Sequence, residues 1–247
     1  MVTGPAALRL HGVKTLEWVT QVDLALRGNA RAFGAVAHGR VYRSGKLGPE
    51  EIVDIGGIAV TIGIRALFDT YRYYGRLDAL VAIESARHLH GFTAEDLLAR
   101  AEGLPRSKGI VGFRELVGYS AGTSESPLET LGRDGIVRAI ASGALDRVTS
   151  VESQVERTIR SEWGEPRRAR IDAMLNGFVG IEFDGKSKLS GKFGAPTALT
   201  ADERWREKQL QNVGMVICRF GWKEVVSGEY VRTIAGLIAR FPAPRVA

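Results

Sequence analysis

A single cysteine, Cys218, stands in a chain of 247 residues. It excludes an internal disulfide and suits a reducing compartment, so a cytoplasmic location is expected. Histidine is almost as scarce, at four residues. With so few nitrogen and sulfur donors there is no soft-metal cluster to build, and His88 and His90 in SARHLHG read as ordinary structural residues. No stretch approaches the roughly 18 consecutive apolar residues of a membrane span, so no membrane partner is expected. The opening, MVTGPAALRLHGV, lacks the basic start and apolar stretch of a secretory signal.

What remains is the composition of a globular protein with enough apolar side chains for a sizeable core. The length suits one large domain or two of ordinary size. The net charge is +6, with +3 on either side of residue 121, so the basic excess is spread and not carried on a tail. Such a balance is compatible with a polyanionic partner such as nucleic acid. GYSAGTSESP, residues 118–127, is a polar Gly/Ser-rich interruption. It divides the chain into a smaller mixed α/β N-terminal domain, 1–120, and a C-terminal domain, 121–247.

In the first part GRVYRSG and GGIAVTIG read as strands, and GPEEIVDIG between them as a turn or short helical step. IRALFDTYRYYG and RLDALVAIESARHLHG space their apolar residues as helices, with Arg65 and Asp69 placed to pair across one turn. TAEDLLARAEGL follows with Thr93 as N-cap, and VGFRELVGYS closes the half. In the second part SPLETLGRDGIVRAIAS starts a helix, with Ser126 as cap, Pro127 at the first position and Glu129 three after the cap. VESQVERTIRSEWG reads as a strand or the irregular approach to one. TADERWREKQLQNVG is a helix ending at Gly214, MVICRFGW a short strand, and GEYVRTIAGLIARF an amphipathic final helix.

The chemistry concentrates in ARIDAMLNGFVGIEFDGKSK, residues 169–188. Alternation puts Val179, Ile181 and Phe183 on one face of a strand and Glu182, Asp184 and Lys186 on the other. In ARIDAML, Ile171, Ala173 and Leu175 form the apolar face, with Asp172 opposite. Asn176-Gly177 signals a hairpin. A two-residue loop would set Ile171 against Glu182, so matching the apolar faces requires a three-residue loop or an equivalent bulge. That register brings Asp172 and Glu182 onto one face. Two carboxylates so close repel unless a cation intervenes. A hard ion such as Mg²⁺ (or Mn²⁺), which uses one or two carboxylates plus phosphate oxygens, fits the pair, and a lysine beside it would stabilise developing charge. The plain alternative is a pair of solvated acids balanced by Lys186 or Lys188.

The order SPLE, ARID, GIEFDGKSK, ADERWREKQLQNVG and MVICRFGW resembles the PD-(D/E)XK restriction-endonuclease-like domains, near the very-short-patch repair nucleases, over residues 122–247. The resemblance implies an α+β core of helix, mixed sheet, helix, strand and helix. It implies a metal-dependent DNA endonuclease in which Asp172 and Glu182 hold Mg²⁺ or Mn²⁺, with Glu129 an added ligand or water-positioner and Arg219 on the last strand. The family's lysine position is occupied here by Asp184. Lys186 follows from strand geometry and Lys188 from the resemblance, and the choice between them stays open. GPAALRLHGV and VTIGIRALFDTY are similar to AbiEi-type antitoxins, whose winged helix comes before GPAALRLHG. This chain begins almost at that motif, so a protein without that DNA-reading element is expected. The alternative function is accordingly a non-catalytic DNA-binding regulator or antitoxin. A homodimer and a toxin or host protein partner are further expectations.

Overall fold

The computed structural model of the chain describes residues 1–26, 36–37, 39–161, 163–185 and 201–241. It is a mixed α/β protein with two mixed sheets. The chain forms two compact units, Met1–Pro127 and Leu128–Ala247. The N-terminal unit, expected to be the smaller, is slightly the longer. Among the described residues no helix is long and apolar enough to cross a membrane.

The first unit holds β1 (Val2–Thr3), β2 (Val22–Ala25), β3 (Val36–Ala37), β4 (Arg40–Arg43), β5 (Ile52–Ile55) and β6 (Ile58–Thr61) in the order β3-β4-β2-β1-β6-β5. Its helices are α1 (Gly4–Leu10), α2 (Gly63–Tyr74), α3 (Arg76–His90), α4 (Ala94–Glu102) and α5 (Ile110–Tyr119). Leu8, Leu67, Phe68, Leu80, Ile83 and Phe113 are at the centre of its apolar core. The GPEEIVDIG segment holds the expected short helical step and, beyond it, a strand that was not expected. One 3₁₀ turn at Pro49–Glu51 gives way to β5, which pairs antiparallel with β6. Thr93 caps α4 as expected, its Oγ1 accepting from Asp96 N–H while the Asp96 carboxylate accepts from Thr93 N–H. The Arg65–Asp69 pair is more than a surface brace. Arg65 is buried, donating from Nε to Asp69 at 3.0 Å and from Nη1 to Glu51 at 2.8 Å. Asp69 in turn accepts from Thr3 Oγ1 at 2.6 Å, which ties α2 to the central strand of the sheet.

The second unit runs α6 (Pro127–Ala141), β7 (Val151–Arg160), β8 (Pro166–Leu175), β9 (Val179–Phe183), α7 (Ala201–Asn212), β10 (Val216–Phe220), α8 (Trp222–Ser227) and α9 (Glu229–Arg240). The sheet order is β10-β9-β8-β7, with β10 parallel to β9 and the other neighbours antiparallel. VESQVERTIR is thus a full strand, GEYVRTIAGLIARF forms α9 as expected, and a short helix, α8, precedes it across Gly228.

The hairpin register follows from matching the apolar faces. Leu175 pairs with Val179 and Ala173 with Ile181, across a three-residue loop. Asn176 and Gly177 both have positive φ, 50° and 73°. Asn176 bears this because its side chain is fully employed, Oδ1 accepting from Thr149 N–H and Nδ2 donating to Arg147 O. Ile171 departs from expectation. Ala173 and Leu175 pack with Ile181 and Phe183, but Ile171 joins a second cluster with Val155, Ala169, Leu210 and Met215. The paired register of β8 with β9 stops at Ala173. Opposite that point, in β7, Gln154 sits in the left-handed region at φ 52°. The β7–β8 register is the same on either side of this residue, and the apolar run is shared between two cores across it.

Helix α6 lies close to the sheet because two of its residues have no side chain. A Cβ on Gly132 would fall 2.1 Å from the Phe183 ring, and one on Gly135 1.7 Å from the Tyr230 hydroxyl. Tyr230 Oη donates to the Gly132 carbonyl at 3.0 Å, tying α9 to α6. This close approach places the N-terminal turn of α6, which carries Glu129, beside the end of β9.

Candidate active site

Asp172, Glu182, Phe183, Asp184, Arg170, Arg206 and Arg219 line a cavity of about 200 Å³. Each comes from a different constraint. The hairpin register brings Asp172 and Glu182 to neighbouring positions, one on each strand. The parallel register of β9 and β10 sets Arg219 beside Glu182. Leu210, buried with Val155, Ile159 and Ile171, seats α7 and so delivers Arg206.

Asp172 is half-buried. Where the paired register of β8 and β9 ends, its Oδ2 accepts from the backbone N–H of Phe183 at 2.8 Å. Burial pushes the Asp172 carboxyl up to about 6, and the neighbouring carboxylates of Glu129 and Glu182 push it the same way, against the Phe183 hydrogen bond and Arg170. The acids are therefore close enough to penalise one another's charge. Glu129 is reached from a residue the sequence did not single out: Gln154 Nε2 donates to Glu129 Oε2 at 3.2 Å. Gln154 Oε1 is buried without a hydrogen-bond partner among the described residues. A left-handed, non-glycine residue in the middle of a strand costs of order 1–3 kcal/mol and is typical of functional positions.

Glu182 departs from the expected two-carboxylate grip. Its Oε1 accepts from Arg206 Nη2 at 2.5 Å, and its Oε2 lies 3.0 Å from Arg219 Nε, in an ion pair without the alignment of a hydrogen bond. Arg206 also donates to the Arg170 carbonyl at 2.5 Å, which fixes the α7 side of the cavity. Among the described residues no three acidic, histidine or cysteine side chains converge as a ligand set. The physical reason is that Glu182 is turned onto two guanidinium groups. The donors nonetheless fit a hard divalent ion in kind. They are carboxylate oxygens only, and burial, with the charges of Glu129 and Glu182 added to it, raises the Asp172 carboxyl to about 6.

Compared with known protein families, curated proteins and solved structures, the chain gives no match.

The remaining expected site residues divide. Asp184 lines the cavity but lies past the end of β9, exposed, its backbone N–H bonded to Phe220 O. Lys186 and Lys188 lie outside the described residues. Sequence reasoning missed Gln154, Arg170 and Arg206. Arg206 looked like one of many charges on a polar helix, and Gln154 is marked only by a backbone angle that no side-chain pattern encodes.

Proposed function

We propose that the second unit is a divalent-metal-dependent DNA endonuclease built on a restriction-endonuclease-like core. The observation that carries this reading is an arginine-lined cavity holding Asp172 and Glu182, with Glu129 near enough for its charge to raise the Asp172 carboxyl. The element order supports it: one helix, three strands, a helix, a strand and two closing helices.

Asp172, Glu182 and Glu129 are the residues that would hold Mg²⁺ or Mn²⁺. A bound ion supplies Lewis-acid polarisation of a phosphodiester and a charge that offsets the developing negative charge. The chain's own groups do the rest. Arg170, Arg206 and Arg219 present guanidinium donors suited to phosphate oxygens, so a phosphodiester entering the cavity competes with Glu182 for Arg206 and Arg219. That exchange frees the Glu182 carboxylate at the moment substrate arrives. Asp172, poised near neutrality, can accept a proton at a carboxylate oxygen. Gln154 restrains the Glu129 carboxylate through its hydrogen bond.

Purified protein is expected to nick or linearise plasmid DNA with Mg²⁺ or Mn²⁺, and Asp172→Ala and Glu182→Ala to lose the activity while remaining folded. A folded parent protein inactive on supercoiled, linear and single-stranded DNA with both metals overturns the reading. One observation favours a second reading, a non-catalytic DNA-binding regulator: both Glu182 oxygens are already engaged by arginine. On that reading Asp172→Ala leaves salt-dependent DNA binding intact and the parent cuts nothing.

A further inference from the structure

Beyond the cavity, β7 and β8 continue as a two-stranded ribbon, with no third strand among the described residues. The pairing is regular from Val155–Ile171 to Arg160–Pro166. One side of the ribbon is committed to packing, with Val155, Ile159, Ala169 and Ile171 in a buried cluster that includes Leu210 of α7. The other side carries Glu156 opposite Arg170, Thr158 opposite Arg168 and Arg160 opposite Pro166. It begins at the cavity, where Arg170 is a lining residue. At about 3.4 Å per residue, the six steps from Asp172 to Pro166 span about 20 Å.

At the far end stands Trp163, 88% exposed, the most exposed large apolar side chain among the described residues. Its backbone is tied down. Ser161 N–H donates to Glu165 O at 2.8 Å. Ser161 Oγ accepts from the backbone N–H groups of both Trp163 and Glu165. Arg160 Nη1 donates to Gly164 O at 3.0 Å, and Trp205 Nε1 of α7 donates to Arg160 O. The backbone on either side of the indole is held by these hydrogen bonds, so less of it remains to be ordered when a ligand binds.

We propose that this exposed ribbon face is a track for a single strand of DNA running from the cavity, with Trp163 at its tip as a stacking platform for an unpaired base. The polymer's identity rests on the nuclease reading of the cavity. The choice of single strand rests on the ribbon itself. Arginine can neutralise phosphates of any form, but a lone, projecting π-face finds a partner only where a base is unstacked. Arg168, its side chain 82% exposed and only 3.4 Å from a Glu156 that is itself 55% exposed, can trade that surface pair for a phosphate at little cost. The substrate class is therefore DNA with a single-stranded stretch next to the cut, such as a tail, flap or bubble.

The test is fluorescence anisotropy with the full chain and a labelled 20-nucleotide single strand, its blunt duplex, and the duplex with a single-stranded tail, all in EDTA so that nothing is cut. Trp163→Ala is expected to weaken binding of the single-stranded and tailed DNA by about 5- to 150-fold, to change blunt-duplex binding by less than threefold, and to be largely rescued by Trp163→Phe. Arg168→Ala is expected to reduce the salt slope on single strands by about 0.7. Equal effects on all three DNAs, or none on any, overturn the track. So does loss with Trp163→Ala of a co-purifying protein while DNA binding is unchanged, which would make the tip a protein contact. Cleavage by the parent with binding indifferent to Trp163 removes the track and leaves the nuclease. Trp163-dependent binding without cleavage under any metal does the reverse.

Discussion

Replacing Asp172 by asparagine removes a charge while keeping the shape and an oxygen able to accept from the Phe183 amide. The folded protein raises this carboxyl from 3.8 to about 6, so the native state holds the proton more tightly than the unfolded chain. Below pH 4 the group is protonated in both states and no penalty exists. Between pH 4 and 6 the unfolded chain releases its proton first, and stability falls as pH rises. Above pH 6 the native carboxylate is charged and the full cost is present. The interval is worth about 3 kcal/mol, and partial solvent exposure reduces this to about 2–3 kcal/mol. Asp172→Asn is therefore expected to match the parent near pH 4 and to exceed it by about 2–3 kcal/mol at pH 8. Urea denaturation followed by circular dichroism at several pH values measures the difference between the two proteins directly, so acids that titrate alike in both cancel. A gap that does not grow between pH 4 and 6, or a variant less stable than the parent at pH 8, refutes the argument that burial and neighbouring carboxylates destabilise this charge.

Further outcomes follow from the same geometry. Millimolar Mg²⁺ at pH 8 is expected to raise the thermal midpoint of the parent and to leave that of Asp172→Asn unmoved, read by calorimetry. Gly132→Ala forces a methyl group against the Phe183 ring and is expected to cost about 1–3 kcal/mol by urea denaturation. It should also lower DNA cleavage, because α6 carries Glu129. Arg65→Met strands the buried carboxylates of Glu51 and Asp69 and is expected to cost about 3–5 kcal/mol, which denaturation at neutral pH will show.

The second unit was the more legible, for a physical reason. Its hairpin couples a strict apolar alternation to an Asn-Gly turn, and only one register buries both faces. The register in turn makes Asp172 and Glu182 neighbours. In the first unit β1 and β2 are short, and Val2–Thr3 presents too few residues for alternation to show. They are strands because the sheet around them supplies partners. Thr93 with Asp96 was readable because a capping box is local, and the burial of Arg65 was not, because Glu51 and Thr3 come from distant parts of the chain. The site was legible in its acids and, through the resemblance, in Arg219, and silent in Arg170 and Arg206. Glu182's two partners come from α7 and β10, positions that only packing brings together, and Ile171 joins the second core next to a left-handed Gln154 that no side-chain pattern encodes.

The Phe183 amide takes its acceptor from the Asp172 carboxylate and not from a strand carbonyl. The end of a sheet and the charge of a site are thereby one object. When Asp172 gains its proton that acceptor weakens, and the adjoining backbone loosens with it. The amide of Phe183 is thus a built-in indicator, whose proton resonance and exchange rate should titrate in step with the acid it is bonded to.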